Sequence, residues 1–149
     1  MRPAVNVGLS VSRVGGAAQT KAMKKAAGSI RIDLAQYREM EVFTQFSSDL
    51  DAATKEQLEY GSGLMELLKQ PLGHPMSMHE MVITFCAARN KVLLGIPVKE
   101  VKKFQMDMLN YFATVHPEIS EEIEQTKALS DELAAKIVET AKEFKDSRC

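Results

Sequence analysis

Capping and breaking residues divide most of this chain into segments of helical length. Apolar residues within each segment recur at intervals of three and four, which is the spacing of one face of an α-helix. Ser77-Met78-His79-Glu80 has the pattern of a capping box, and Pro117 and Ser130-Asp131 occupy favoured helix starts. Glycine and proline separate the segments. The pattern predicts a mainly α fold, a bundle of about six helices joined by short loops.

The pattern locates the predicted helices along the chain. Three of them are expected over residues 17–46, 52–70 (loosened at Gly61 and Gly63) and 99–114, and three others are expected to begin at residues 77, 117 and 130. In three of them the predicted inward residues are Met81, Phe85, Ala88 and Val92, then Val101, Phe104, Met108, Tyr111 and Phe112, and finally Leu133, Ile137, Ala141 and Phe144.

One segment departs from the helical pattern. Apolar and polar residues alternate over Ala4–Val11, which predicts a short, half-buried β-strand before the bundle. No later segment has the pattern of a second strand with which it could pair. An orphan strand of this kind indicates that the chain is a piece of a larger protein.

Basic residues are concentrated at the N-terminal end. Residues 1–32 contain six Lys and Arg residues and no Asp or Glu, although the net charge of the whole chain is −1. A basic end suggests contact with an anion, either nucleic acid or a nucleotide phosphate, and a solvated helix face is the simpler explanation. The first aromatic residue is Tyr37, so the basic segment lacks the interleaved aromatics that stack on bases.

Motifs for catalysis, metal binding and membrane insertion are absent from the sequence. The phosphate-binding pattern G-x-x-x-x-G-K-[ST] does not occur, and His79-Glu80 lacks the second histidine of H-E-x-x-H. His74 and His116 do not supply paired ligand spacing, so no metal site is predicted. Cys86 lies in an apolar run and is predicted to be a core residue. No apolar run is long enough to cross a membrane.

Several segments resemble, in order, the F-type ATP synthase alpha subunit. These segments are Arg2–Gly15 (RPAVNVGLSVSRVG), Leu34–Glu39 (LAQYRE), Phe46–Thr54 (FSSDLDAAT) and Glu66–Gln70 (ELLKQ). From residue 71 onwards mainly the spacing and length of the helices agree. The resemblance implies that residues 1–14 form the last strand of a nucleotide-binding domain and that 15–149 form a C-terminal helical domain. The chain is then a C-terminal piece whose upstream domains are missing.

The family also implies partners and an activity. Alpha subunits alternate with beta subunits in a hexamer, around a central-stalk gamma subunit and beneath a peripheral-stalk delta subunit. The intact enzyme couples ATP synthesis or hydrolysis to ion transport and uses ATP or ADP with Mg. It is expected to lie peripherally on the cytoplasmic face of a bacterial plasma membrane, and an organelle inner membrane is the less favoured alternative. The isolated fragment, which has no phosphate loop, is expected to be inactive and to bind no cofactor.

The resemblance assigns roles to single residues near both ends of the matching region. Arg13 matches the arginine that reaches in trans into the beta-subunit catalytic site as an arginine finger. Arg2, Pro3 and Gln70 match nucleotide-binding positions near the ribose and adenine. Leu72 stands where many relatives have a second adenine-contacting glutamine, which puts adenine recognition by this loop in doubt.

A further set of residues matches a loop that faces the rotating central stalk. This set consists of Ser48, Asp49, Leu50 and Asp51, and Ser47 replaces the usual glycine. Simple capping of the next helix by Asp49 or Asp51 is the alternative explanation, and the two roles are compatible.

Two other interpretations of the whole chain remain open at this point. A free-standing helical module that binds nucleic acid or protein through its basic N-terminal face would show binding with a steep salt dependence. A helical domain without function when detached is the third interpretation.

Overall fold

The computed structural model describes residues 3–7, 12–44 and 50–148 of the chain. Within these residues the fold is mainly helical, which confirms the predicted fold class. The helices are α1 (Arg13–Ala18), α2 (Lys21–Ala27), α3 (Ile30–Thr44), α4 (Ala52–Leu67), α5 (Met78–Arg89), α6 (Val98–Val115), α7 (Pro117–Thr126) and α8 (Asp131–Ser147).

The predicted N-terminal strand is not observed. Residues 3–7 form bends and a turn, and residues 8–11 lie outside the described residues. A strand needs a neighbour that pairs with its backbone N–H and C=O groups, and no other strand occurs among the residues that the structure describes. The prediction is therefore wrong for Ala4–Val7, because alternation alone does not supply a partner.

The first predicted helix is divided into α1, α2 and α3. The Ser12 hydroxyl accepts a hydrogen bond from the Gly15 amide at 2.9 Å, and the Thr20 hydroxyl accepts one from the Met23 amide at 3.3 Å. Each of the two short helices thus starts at its own hydroxyl cap. The loosening predicted at the glycines of the next helix is not observed, since α4 continues through Gly61 and Gly63.

The core is built around α5, which packs against α2, α6, α7 and α8. Of the predicted inward residues within α5, Ala88 is buried, whereas Met81 and Phe85 are only partly buried. The physical reason is that a helix enclosed on several sides has no single apolar face. The residues of α5 that are buried are Val82, Ile83, Thr84, Cys86, Ala87 and Ala88.

Helices α6, α7 and α8 each cover α5 with one face. Among the predicted inward residues of α6 and α8 only Tyr111 is not fully buried. In α7 the buried residues are Ile119 and Ile123. The predicted capping box is confirmed, since the Ser77 amide donates to Glu80 Oε2 at 2.7 Å and the Glu80 amide donates to the Ser77 hydroxyl at 3.3 Å.

Helices α3 and α4 approach each other closely at Gly61. A Cβ atom placed at residue 61 would lie only 2.5 Å from Tyr37 Cβ and closer still to its ring. Because the Cβ of Tyr37 is fixed to the backbone of α3, this contact could not be relieved by rotating the tyrosine. Tyr60, the preceding residue of α4, donates a hydrogen bond to Asp33 of α3 at 2.9 Å.

Two glutamates of helix α7 form contacts with basic side chains. Glu124 lies 2.6 Å from Lys127 Nζ and 2.8 Å from His79 Nδ1 of α5, and these contacts lower the pKa of its carboxyl to about 2. Glu118 lies 3.0 Å from Lys136 Nζ of α8, which is the main reason that its pKa also falls to about 2. These contacts connect this short helix to α5 and to α8.

Replacing Gly61 by Ala should destabilise the fold, because the added Cβ would push α3 away from α4. We expect the free energy of unfolding to fall by about 1–3 kcal/mol in urea denaturation. Gly63→Ala is the matched control, since a Cβ at residue 63 meets nothing within 4 Å. That variant should gain up to about 1 kcal/mol from the better helix propensity of alanine. Equal stabilisation by both variants would contradict the close approach of the two helices.

The ion pairs of α7 should make the fold sensitive to acid. The pKa values of Glu118 and Glu124 lie near 2, below their usual value of 4.5, so their ionised forms stabilise the native state above pH 4.5. This contribution is lost as the pH falls from 4.5 towards 2. The thermal midpoint should therefore fall more steeply over this range in the wild type than in a Glu118→Gln/Glu124→Gln variant.

The control for this measurement is Glu121→Gln/Glu122→Gln, which removes two exposed glutamates of the same helix. This control should retain the wild-type slope between pH 4.5 and 2. Parallel curves for the wild type and the Glu118→Gln/Glu124→Gln variant would show that the ion pairs of α7 do not act on stability.

Candidate functional site

The predicted functional residues flank α4 and begin α1. Asp51 immediately precedes α4 and Gln70 lies three residues after its end, whereas Arg13 is the first residue of α1. Helix α4 has 16 residues, which corresponds to a length of about 24 Å. The predicted stalk-facing loop and the predicted nucleotide-binding loop are therefore at opposite ends of one helix.

Arg13 lies on a part of the surface that the core does not restrain. Every residue of α1 is exposed, and the helix is started by the Ser12 cap. Gly15 and Gly16 are inside this helix, although the first predicted helix begins only at residue 17. Among the residues that the structure describes, Arg13 has no ion-pair partner.

The connection between α1 and α2 lies at the N-terminal end of α5. The Thr20 hydroxyl donates a hydrogen bond to Met78 Sδ at 3.4 Å, and the Ala22 amide donates to the Lys127 carbonyl at 2.9 Å. The loop of residues 68–77, which contains Gln70, also leads into this end of α5. The structure thus brings the chain that follows Arg13 and the end of the Gln70 loop to one side of the bundle.

Gln70 is exposed and lines a groove of about 750 Å³, called the loop groove here, which lies between residues 69–76 and one side of α6. Leu72, at the tip of the loop, is fully exposed. Pro3 is partly buried in the bent N-terminal segment, and Arg2 lies outside the described residues. A nucleotide contact of Arg2, Pro3 and Gln70 together stays a prediction.

A buried polar network attaches the loop to α6 and α5. Lys102 Nζ donates to the Leu67 carbonyl at 2.9 Å, at the C-terminal end of α4, and to Gln105 Oε1 at 2.8 Å. Gln105 Nε2 donates to the Thr84 hydroxyl at 3.2 Å and lies 3.5 Å from Met76 Sδ. Gln105 is only 2% exposed and Thr84 only 3%. The start of the loop is therefore connected to Gln105 through Lys102, and its end is connected to Gln105 directly through Met76.

No motif in the sequence indicates this network. Gln105 follows the inward residue Phe104 directly, and a polar residue at the edge of an apolar stripe is the one signal that could have revealed it. The positive charge of Lys102 lies near the C-terminal end of α4, where the helix dipole favours a cation. Burial lowers the pKa of Lys102 from its usual value.

Asp51 occupies the N-cap position of α4 with an extended backbone. Its carboxylate does not accept a well-formed capping hydrogen bond, although the nearby hydroxyl and amide of Thr54 lower the pKa of Asp51. Leu50 is partly buried beside it, and Ser48 and Asp49 lie outside the described residues. The position of Asp51 agrees with a helix start, and a contact of this loop with a stalk stays a prediction.

Neither metal ligation nor membrane insertion is suggested by the described residues. Within residues 3–7, 12–44 and 50–148, no group of three or more His, Cys, Asp or Glu side chains could hold a metal ion. In the same part of the chain, none of the helices combines the length and the apolar character needed to cross a membrane.

Comparison with known proteins gives one consistent match. The family model described as the C-terminal domain of the ATP synthase alpha/beta chain matches residues 19–144. The chain is 50% identical over 145 residues, or 97% of its length, to the ATP synthase subunit alpha of Mycobacterium tuberculosis. The same values hold for the proteins of that name from Mycolicibacterium smegmatis and Mycobacterium leprae. The chain spans 26% of the length of each of these relatives.

The buried network can be tested with paired substitutions. Gln105→Leu leaves the Thr84 hydroxyl buried without a partner and should cost about 1–3 kcal/mol in the free energy of unfolding. Adding Thr84→Val removes that unpaired group and should restore part of the loss, because replacing both partners is less harmful than replacing one. Urea denaturation of the two single variants and the double variant measures the difference. Strict additivity of the two losses would show that the two side chains do not interact.

Proposed function

Because the chain belongs to the family formed by the C-terminal domains of ATP synthase alpha and beta subunits, we propose that it is the C-terminal part of an alpha subunit in a rotary ATP synthase. The observation that carries this proposal is the 50% identity to alpha subunits over nearly the whole chain. Residues 15–149 then form the helical domain, and residues 1–14 belong to the end of the nucleotide-binding domain. The assembled enzyme couples ATP synthesis or hydrolysis to ion transport.

In this proposal Arg13 acts as an arginine finger on a nucleotide bound to a neighbouring beta subunit. The position of Arg13 supports the role, since an exposed residue at the start of a fully exposed helix can reach a group outside its own chain. A guanidinium is planar and can form two parallel hydrogen bonds to phosphate oxygens. It would stabilise the charge that develops during phosphoryl transfer.

Arg2, Pro3 and Gln70 would contact the nucleotide that the alpha subunit itself holds, ATP or ADP with Mg. The exposure of Gln70 and its place on a loop fixed by Lys102 and Gln105 support this assignment. Leu72 offers no amide for an adenine, and its side chain is fully exposed. Gln70 would then be the adenine-contacting residue of this loop.

The loop of Ser48, Asp49, Leu50 and Asp51 would face the central-stalk gamma subunit. The carboxylate of Asp51 is exposed, which suits contact with basic residues of a partner. The loop lies at the end of α4 opposite to Gln70, so stalk and nucleotide contacts would not compete for the same surface. Beta subunits and a peripheral-stalk delta subunit would complete the assembly at the cytoplasmic face of a bacterial plasma membrane.

Binding of nucleic acid by the basic N-terminal face has less support. Lys25 forms an ion pair with Asp131 of α8, with 2.6 Å between Nζ and Oδ1. The Lys24 amine is 3.5 Å from the Ala17 carbonyl, within the same segment. These contacts occupy part of the basic charge within the protein itself. Less of this charge is therefore available to bind the phosphate backbone of a nucleic acid.

The decisive test replaces Arg13 in the assembled enzyme. Arg13→Ala should lower steady-state ATP hydrolysis by about 10³-fold or more, because arginine fingers contribute about 10³–10⁵ in rate. Arg13→Lys should restore little, since an amine lacks the planar fork of the guanidinium. Subunit composition on a gel checks that each variant complex assembles.

Arg31→Ala removes an exposed arginine of α3 and serves as the matched control, with turnover expected near the wild-type value. The proposed role of Arg13 fails if Arg13→Ala complexes keep more than about a tenth of the wild-type rate.

A further inference from the structure

The loop groove has the size and lining of a small-molecule site. Its volume is about 750 Å³, and ligand sites typically enclose about 300–1,000 Å³. Its walls are formed mainly by apolar side chains and the aliphatic parts of polar ones, including Pro71, Pro75, Met76, Met106 and Leu109. Met106 is 68% exposed at the rim, and methionine adapts readily to the shape of a ligand.

Lys102 places one positive charge at the edge of this apolar surface. Its ammonium group has three N–H donors, and the acceptors that the structure provides are two neutral oxygens, on Leu67 and Gln105. The carboxylates that also line the groove have other partners: Glu66 pairs with Lys69, and Glu80 accepts from Ser77. Among the described residues no carboxylate lies within ion-pair distance of Lys102.

No described carboxylate contacts the half-buried Lys102 directly, and Glu66 acts on its charge only from beyond ion-pair distance, which favours an anionic ligand at the ammonium group. Burial removes water from the ammonium group, and the lowered pKa of Lys102 reflects this loss. An anion placed against the third N–H donor would replace the lost solvation with a charge-assisted hydrogen bond. The apolar walls would receive the remainder of such a molecule.

We propose that the loop groove binds small amphipathic anions, with an apolar body against Met76, Met106 and Leu109 and a single carboxylate or sulfonate on Lys102. This ligand class differs from a nucleotide, which carries several charges on a polar body, although Gln70 lines the same groove. A ligand in the groove touches both the loop and α6 and would restrain the loop on which Gln70 lies.

A pair of fluorescent probes that differ in one charged group tests the proposal on the protein itself. Anilinonaphthalene sulfonate carries the required anion, and N-phenylnaphthylamine has the same aromatic body without it. The sulfonate probe should bind the wild type saturably at one site. Lys102→Met should weaken its binding by about tenfold or more, since a charge-assisted hydrogen bond is lost. Binding of the uncharged probe should change less than about twofold.

Three variants control for unspecific effects. Lys102→Arg keeps the charge and should retain binding of the sulfonate probe. Lys103→Met removes the charge of the adjacent, exposed lysine, which does not line the groove, and should leave both probes unaffected. Met106→Glu adds an anion at the exposed rim without disturbing the core and should weaken the sulfonate probe selectively. Circular dichroism checks that each variant is folded. If Lys102→Met does not fold, the selective weakening of the sulfonate probe by Met106→Glu tests the proposal instead.

The proposal is overturned if Lys102→Met and Lys103→Met have equal effects, or if both probes weaken together in folded Lys102→Met. It is also overturned if ATP displaces the sulfonate probe in competition, because the groove would then be part of a nucleotide site. Retained activity in an Arg13 variant, which would refute the proposed function, has no bearing on these measurements. Failure of the proposed function and failure of this site are therefore distinguishable.

Discussion

The enclosure of α5 by its neighbours is the constraint on which the rest of the structure depends. Four helices pack against α5, and each of them contributes one apolar face to it. Small side chains such as Ala87 and Ala88, both fully buried, let these neighbours approach closely. Burial of this kind is the dominant favourable contribution to folding. Helix α3 lies outside this arrangement and is joined to it through α4, where Gly61 allows the contact.

Polar groups inside the bundle determine where the loop of residues 68–77 lies. Gln105 is enclosed by apolar helices and can stay there only because both ends of its amide are hydrogen-bonded. Its partners belong to α5 and α6, and Lys102 extends the network to the end of α4. The loop that carries Gln70 is thus held at its start by Lys102 and near its end by Met76. A surface loop with this anchorage is suited to presenting one exposed side chain to a ligand.

Much of the fold could be predicted, because it depends on residues that are close in sequence. The Ser77–Glu80 capping box and the cap at Ser130 are contacts between a residue and the third one after it. The buried faces of α6 and α8 follow the helical period, since each has core on one side only. The family was recognisable because its segments are preserved in order, and the roles of Arg13, Gln70 and Asp51 came from that resemblance and not from spacing.

The sequence by itself therefore determined the helical class, most helix starts, the one-sided faces and the family. Only the tertiary structure decided that Ala4–Val7 has no strand to pair with among the described residues, and which faces of α5 are buried. Only the tertiary structure shows that α4 continues through Gly61 and packs there against Tyr37. It also decided that Lys102 meets Leu67, which lies 35 residues away in the sequence. The physical reason is the range of the interactions. Caps and periodic stripes are local, whereas enclosure, close approach and buried polar pairing need groups that only folding brings together.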